Sequence, residues 1–330
     1  MRKFFSSSLI FFSSFLLAFL FAEVLLRFNN QNPWGYFTVD LNEPTINQPD
    51  EIKGWDLMPG NYIFQPYSES GKKFNVTINQ DKTRYTGKIP QKTLGDIAIF
   101  GGSISLGHAV DDEKHYPFLL QKKIKNYAIK NYSVAGYGTH QSFLKIEEVV
   151  KKNKKIKIII VAFDKHAEIR NIGDEFWLRN LTKYSKRGVL SLPYASIEEN
   201  SGLIKRHKPV KYLKLPLREQ SSIITKIEKR IMKYKLKTKQ NPAEVTKQII
   251  LEIEKLSNNN NIKFFFLNLS GDKAVTEYLE IFKTKKINYI DCEVDLNSTL
   301  VVAGEEGHPN AEQHQMLSDC IFKNLKINAT

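Results

Sequence analysis

"IAIFGGSISLGHAV", residues 97–110, decides how the chain is read. An apolar run enters Gly101 and Gly102, and Ser103, Ser105 and Gly107 follow. That order spells a buried strand, a tight turn and the start of a helix. Two uses of the turn are open. Ser103 or Ser105 can cap the helix, or the turn can expose Ser103 as a nucleophile. The stretch is not G-x-S-x-G, because Ser105 stands where the second glycine is needed. Neither a dinucleotide fingerprint nor a Walker loop is present.

From residue 96 onward strands and helices alternate. "DIAIF" (96–100) and "KNYSV" (130–134) read as strands, and "EKHYPFLLQKKI" (113–124) and "QSFLKIEEVVKK" (141–152) as helices. "IKIIIVAF" (156–163) is the continuous β-branched run of a strand covered on both faces. After residues 172–240 the rhythm resumes. Asn241, Pro242 and Glu244 open a helix, "NIKFFFLNL" (261–269) is a strand, 272–284 a helix, "INYID" (287–291) a strand and 310–325 a helix. Such repeats predict a three-layer α/β/α domain with a mostly parallel sheet, whose ligands sit at the carboxyl ends of the strands.

The N-terminus carries a different signal. Arg2 and Lys3 precede an uncharged run from Phe4 to Ala22, which Glu23 ends. Nineteen residues at ~1.5 Å rise span about 28 Å, close to the hydrocarbon thickness. The flanking charges put the N-terminus in the cytoplasm and the body outside, on the inner membrane. The run is read as an uncleaved anchor. A cleaved signal peptide is the alternative. Residues 28–52 then read as a linker and 53–92 as a small β-rich extension, from the alternating "KFNVTIN" (73–79).

The formal charge of +14 is concentrated. Between Lys205 and Lys239 thirteen Lys/Arg face two acids. This basic part of the 172–240 insertion is either a solvated surface or a patch for anionic lipid or a polyanion. No nucleic-acid module accompanies it. Two cysteines, Cys292 and Cys320, exclude a zinc ribbon and a CxxC redox motif. Cys320 reads as a core residue on a helix face, with one bridge to Cys292 left open.

Two further stretches bear on Ser103. "GEEGHPNAEQH" sets Glu305 three residues before His308, a spacing at which a carboxylate can fix the imidazole tautomer. The plain alternative is a loop histidine before a helix capped by Asn310. "NYSVAGYGTHQSF" (131–143) ends a strand at two glycines, and Gly136 can offer an unobstructed N–H to an oxyanion or simply serve a turn. The remaining histidines give no metal spacing.

Taken together these motifs resemble the SGNH, or GDSL-like, hydrolases over roughly residues 96–325. Gly101-Gly102-Ser103 matches the family's Gly-Asp-Ser block, with Gly102 in place of Asp. Gly136 matches its oxyanion-hole glycine, and Glu305-x-x-His308 its Asp-x-x-His, with Glu for Asp. "GWDLMPGNYIF" and "VTINQDKTR" are similar to the extension of membrane-anchored members. The block usually written Gly-x-Asn-Asp departs most: the strand end reads "VAFDKHAEIRN", and His166 is the nearest match to the Asn.

The resemblance implies a flavodoxin-like fold and a cofactor-free, metal-free serine esterase. Ser103 is the implied nucleophile, His308 the base and Glu305 its orienter. The N–H groups of Ser103 and Gly136, with His166, form the implied oxyanion hole. The expected substrate is an O-acyl, especially O-acetyl, ester such as a cell-envelope polysaccharide. An O-acyltransferase with the same site, and a membrane-anchored binding module on an impaired site, are the alternatives.

Overall fold

The structure, a computed structural model, describes residues 2–34, 46–64, 73–181, 190–236, 240–295, 299–302 and 307–325. The chain forms two compact units, Met1–Thr38 with Tyr212–Thr238, and Val39–Lys211 with Lys239–Thr330.

The first unit begins with α1 (Arg2–Phe28). Ser8–Phe28 is long and apolar enough to cross a membrane, and its side chains are almost wholly exposed. The second unit opens with four short strands. β1 (Asn47–Asp50) pairs with β2 (Gly54–Leu57), and β3 (Gly60–Phe64) with β4 (Phe74–Ile78), both antiparallel.

The α/β body follows as β5 (Asp96–Phe100), α2 (Ser103–Leu106), α3 (Tyr116–Lys123), β6 (Ala128–Asn131), α4 (Thr139–Lys152) and β7 (Ile156–Phe163). Next come the short helices α5 (Ala167–Asn171) and α6 (Glu175–Leu181) and an antiparallel hairpin of β8 (Ser191–Ile197) and β9 (Ile204–Lys211). Helix α7 (Ser222–Leu236) belongs to the first unit, so residues 172–240 divide between the two. The second unit ends with α8 (Pro242–Asn259), β10 (Lys263–Asn268), α9 (Asp272–Thr284), β11 (Asn288–Asp291) and α10 (Ala311–Leu325).

Five strands form one sheet in the order β11-β10-β7-β5-β6, every pair parallel. Counted along the body this is 2-1-3-4-5, the flavodoxin-like order, whose switch point lies between β5 and β7. The mostly parallel sheet expected from the alternating pattern is therefore present. Side chains alternate across it as the two-residue strand period requires. Ile97, Ile99, Ile158, Ile160, Phe265 and Leu267 face Leu120 of α3 and Leu317 and Ile321 of α10. Ala98, Phe100, Ile159, Val161, Phe264 and Phe266 face Ile146 of α4, Ile249 of α8 and Phe282 of α9. Each large side chain so buried contributes about 1.5–3 kcal/mol, which fixes the register and with it the strand ends.

Two local features differ from expectation. β6 starts and ends earlier than residues 130–134. The Asn131 side chain donates to Ser105 O (2.9 Å) and accepts from Ser133 N (3.1 Å), while Tyr132 N and Val134 N still donate to Ile99 O (2.8 Å) and Gly101 O (3.0 Å) beside it. Cys320 is not simply a core side chain. It is bonded to Cys292 and ties the segment after β11 to α10.

Candidate active site

At the end of β5 the chain turns at Gly101 and Gly102, and Ser103 opens α2. Gly102 holds the cap position and no side chain caps the helix. The two serines point to different partners. Ser105 is fully buried and its Oγ accepts from Tyr116 Oη at 2.9 Å. Ser103 is half-buried, and its Oγ lies 2.9 Å from His308 Nε2, 205 residues away in sequence.

The turn is held from below by Arg84, a residue of the extension with no exposed surface. Its guanidinium donates to the carbonyls of Leu106 and Val110 (2.8 and 2.6 Å) and of Gly107, and pairs with Asp112 at 3.3 Å. A four-residue helix cannot satisfy its own carbonyl ends; a buried cation does so here. Gly107 is required at this corner, with φ of 83° and no room for a Cβ beside His115.

His308 arrives on the loop before α10. Its carbonyl accepts from Val302 N at 3.0 Å, and Asn310 Oδ1 accepts from Gln313 N (3.0 Å) to cap α10. Its ring lies 4.5 Å from that of His108. Burial, then the charges of His108 and Arg170, push its pKa down to about 3 against the pull of Asp164. The imidazole is therefore neutral over the physiological range and able to accept a proton. Glu305 lies outside the described residues.

Gly136 follows β6 with φ of 81°. A Cβ there would meet the rings of Trp55 and Trp177, each at 3.3 Å. Trp55 Nε1 donates to Ala135 O at 3.1 Å. In a trans peptide the C=O and the next N–H point in opposite directions. Pinning the Ala135 carbonyl thus aims the Gly136 N–H, which meets no acceptor among the described residues. Trp55 is itself buried on β2, and Tyr137 Oη donates to its carbonyl.

His166 sits just before α5 with 71% of its side chain exposed. Its Nδ1 is 3.5 Å from Asp164 Oδ1, and that hydrogen bond raises its pKa against partial burial. The group turned toward the serine turn is Arg170. A Cβ on Gly102 would lie 3.3 Å from Asp164 Oδ2 and 3.5 Å from Arg170 Nη1. Arg170 Nη1 also donates to Tyr137 O (3.0 Å), its guanidinium covers the Trp177 ring at 4.5 Å, and its Nε is buried without a partner among the described residues. Burial opposes charge on Asp164, but Arg170 and then His166 outweigh it and hold the carboxyl below its usual range.

Sequence reasoning missed Arg170 and Trp177 as members of this cluster. Nothing in their spacing marks them, because the short helices α5 and α6 that carry them meet the serine turn only through tertiary packing. Trp55 had a signal, its place in "GWDLMPG".

No protein-family model matches the chain, and no curated protein matches it. Solved structures do. The chain is similar to a G-D-S-L family lipolytic protein from Desulfitobacterium hafniense, with 12% identity and a TM-score of 0.39, covering 69% of this chain and 98% of that one. It is similar to the psychrotrophic esterase EstA from Pseudoalteromonas, with 11% identity and a TM-score of 0.40 over 70% and 97% of the two chains. It is also similar to an acetylxylan esterase from Geobacillus stearothermophilus, with 10% identity and a TM-score of 0.40 over 73% and 98%.

Proposed function

We propose that the protein is a serine esterase of the SGNH type, acting outside the cytoplasm on an O-acyl, in particular O-acetyl, ester of a cell-envelope glycan or related molecule. The observation that carries this is the 2.9 Å contact between Ser103 Oγ and His308 Nε2. A hydroxyl and a neutral imidazole at this distance form a nucleophile–base pair. Ser103 attacks the ester carbonyl while its proton passes to His308 Nε2. The tetrahedral oxyanion is held by the N–H groups of Ser103 and Gly136. His308 then gives the proton to the leaving alcohol, and water releases the acyl group by the same steps in reverse. Glu305 would orient the imidazole through Nδ1–H, as the motif resemblance implies.

We assign the third oxyanion donor to Arg170 in preference to His166. Arg170 is turned toward Gly102 and carries a fixed positive charge, whereas His166 is mostly exposed. One hole donor is worth about 10²–10³ in rate, so an arginine here makes up for the asparagine missing from "VAFDKHAEIRN". The disulfide and the membrane-length helix α1 support a placement outside the cytoplasm, because disulfides persist in oxidising compartments. The glycan substrate rests on the motif resemblance together with that placement.

A fluorophosphonate probe tests the reading. Wild type is expected to be labelled, and Ser103→Ala, with an unchanged melting temperature, is expected to give no label. Equal labelling of the two proteins, or an unlabelled wild type that is fully folded, overturns it.

A further inference from the structure

The first unit contains a helix with no catalytic part. α7 is strongly basic and is tied to the end of α1. Glu23, the first acid after the apolar run of α1, accepts from Ser222 N (2.7 Å), Ile223 N (3.1 Å) and Ser221 Oγ (2.9 Å). A carboxylate there satisfies the free N–H groups that begin α7. Arg27 completes the joint, reaching Glu23 Oε1 at 2.8 Å and Gln220 O at 2.6 Å. Lys226 Nζ donates to Gln31 Oε1 (2.9 Å), and Trp34 N donates to Thr225 Oγ1 (3.1 Å). Beneath the joint, Arg218 stacks on Trp34 at 3.4 Å and pairs with Glu228 of α7 at 3.5 Å. The start of α7 is thereby held where the apolar run of α1 ends.

The outward face of α7 has an unusual make-up. Ile223, Ile227 and Ile231 recur every four residues and Tyr234 continues their stripe. Ile227 is 45% and Tyr234 83% exposed, and exposed Leu217 stands in the turn before the helix. Lys226, Arg230 and Lys233 run along one edge of the stripe, all exposed. Large apolar side chains on a solvated basic helix raise its free energy in water and lower it at a lipid interface, where the cations meet phosphate. We infer that α7 is an interfacial helix: its Ile227–Tyr234 stripe enters the acyl–headgroup boundary of the bilayer that α1 crosses, and Arg230 and Lys233 bind anionic headgroups. The partner is that bilayer and not a soluble polyanion, because the joint at Glu23 fixes α7 to the membrane helix.

The inference rests on α1 spanning the membrane, and retention of the full chain in lipid nanodiscs checks that separately. The test attaches an environment-sensitive fluorophore at Ile227→Cys, Tyr234→Cys or, as a control on the second unit, Ile52→Cys. The proteins are placed in discs of neutral phosphatidylcholine or of phosphatidylcholine mixed with phosphatidylglycerol, with and without spin-labelled lipid. Labels at 227 and 234 are expected to shift to the blue and be quenched in anionic discs, while the label at 52 stays in water. A basic residue near an anionic surface is worth about fivefold in binding. Arg230→Gln with Lys233→Gln is therefore expected to lower the insertion equilibrium about 25-fold. The inference is overturned if the labels at 227 and 234 remain water-exposed in both discs. It is equally overturned if quenching is the same in neutral and anionic discs, or if soluble polyphosphate and not the bilayer shields the labels. None of these outcomes bears on labelling of Ser103.

Discussion

The two arms of the candidate site are held in opposite ways. The Ser103 arm is a four-residue helix between strand β5 and a buried arginine, and within it Ser105 accepts from Tyr116 Oη at its hydroxyl and from Asn131 Nδ2 at its carbonyl. The His308 arm is a loop between β11 and α10. Its described anchors are a short bridge of Val301 with Pro309, the cap at Asn310 and the disulfide, which encloses it between Cys292 and Cys320. A nucleophile needs one geometry and can be built into the core. A base that swings a proton between two oxygens can sit on a loop, provided a crosslink limits how far that loop strays.

Breaking the first arm is expected to have the largest effect. Arg84→Met leaves three carbonyls and Asp112 without their buried cation. Losing one partner of a buried ion pair costs about 3–5 kcal/mol, to be read from urea unfolding. If Arg84→Met unfolds within 1 kcal/mol of wild type (roughly the worth of one hydrogen bond), the buried cation is not what holds the turn.

Removing the crosslink probes the other arm. Closing a loop of this length stabilises by about 3.5 kcal/mol in the chain-entropy model. Cys292→Ser with Cys320→Ser is expected to lose roughly that amount. Ester turnover should fall while fluorophosphonate labelling of Ser103 merely slows. Unchanged turnover with the thiols removed would show that the loop needs no staple.

Acid sharpens the contrast, because histidines bury themselves beside the first arm. Burial, with Arg84 nearby, holds His115 well below its ordinary range, and burial pushes His314 down to about 3. His314 Nδ1 accepts from Tyr116 N at 3.3 Å, so its ring must stay neutral on at least that side. The sign follows from proton counting. Below pH ~6.5 the unfolded chain protonates these imidazoles and the folded one does not, so stability falls as the pH drops. Each contributes about 1.4 kcal/mol per pH unit below that point. Thermal melts from pH 7.5 to 5 should show the decline, and His314→Gln should make it shallower by one such increment. A melting temperature flat across that range contradicts the buried neutral state.

The smallest effect belongs to the N–H of Gly136. Trp55→Phe keeps the packing and removes the bond to Ala135 O. A lost hydrogen bond of this kind is worth about 1 kcal/mol, so kcat on a small chromogenic acetyl ester should fall about tenfold or less, with KM unchanged. A rise in KM at constant kcat would make Trp55 a substrate contact and not a positioning residue.

How legible was all this? The strands of the sheet were plain, because "DIAIF", "IKIIIVAF" and "KFFFL" are buried on both faces and so nearly continuous in apolar residues. Ser103 and Gly136 stood out by their place beside strand ends, His308 by its spacing from Glu305, and all three by the resemblance of their motifs. Arg170 and Arg84 did not. An arginine's position along the chain says nothing about which carbonyls its guanidinium reaches, since that depends on loops packed from distant segments. The basic stretch was visible as charge, but its division between a hairpin and a helix joined to α1 was not.

By itself the sequence determined the alternation of strands and helices, the membrane-length helix and the candidate serine, because periodicity and turn chemistry act within a few residues. Tertiary structure alone decided that Ser103 and not Ser105 meets His308, that Cys292 bonds Cys320, and that Trp55 aims the Gly136 peptide. Each of these is a contact between residues far apart in the chain, and only the closed packing of the sheet and its loops brings them within bonding distance.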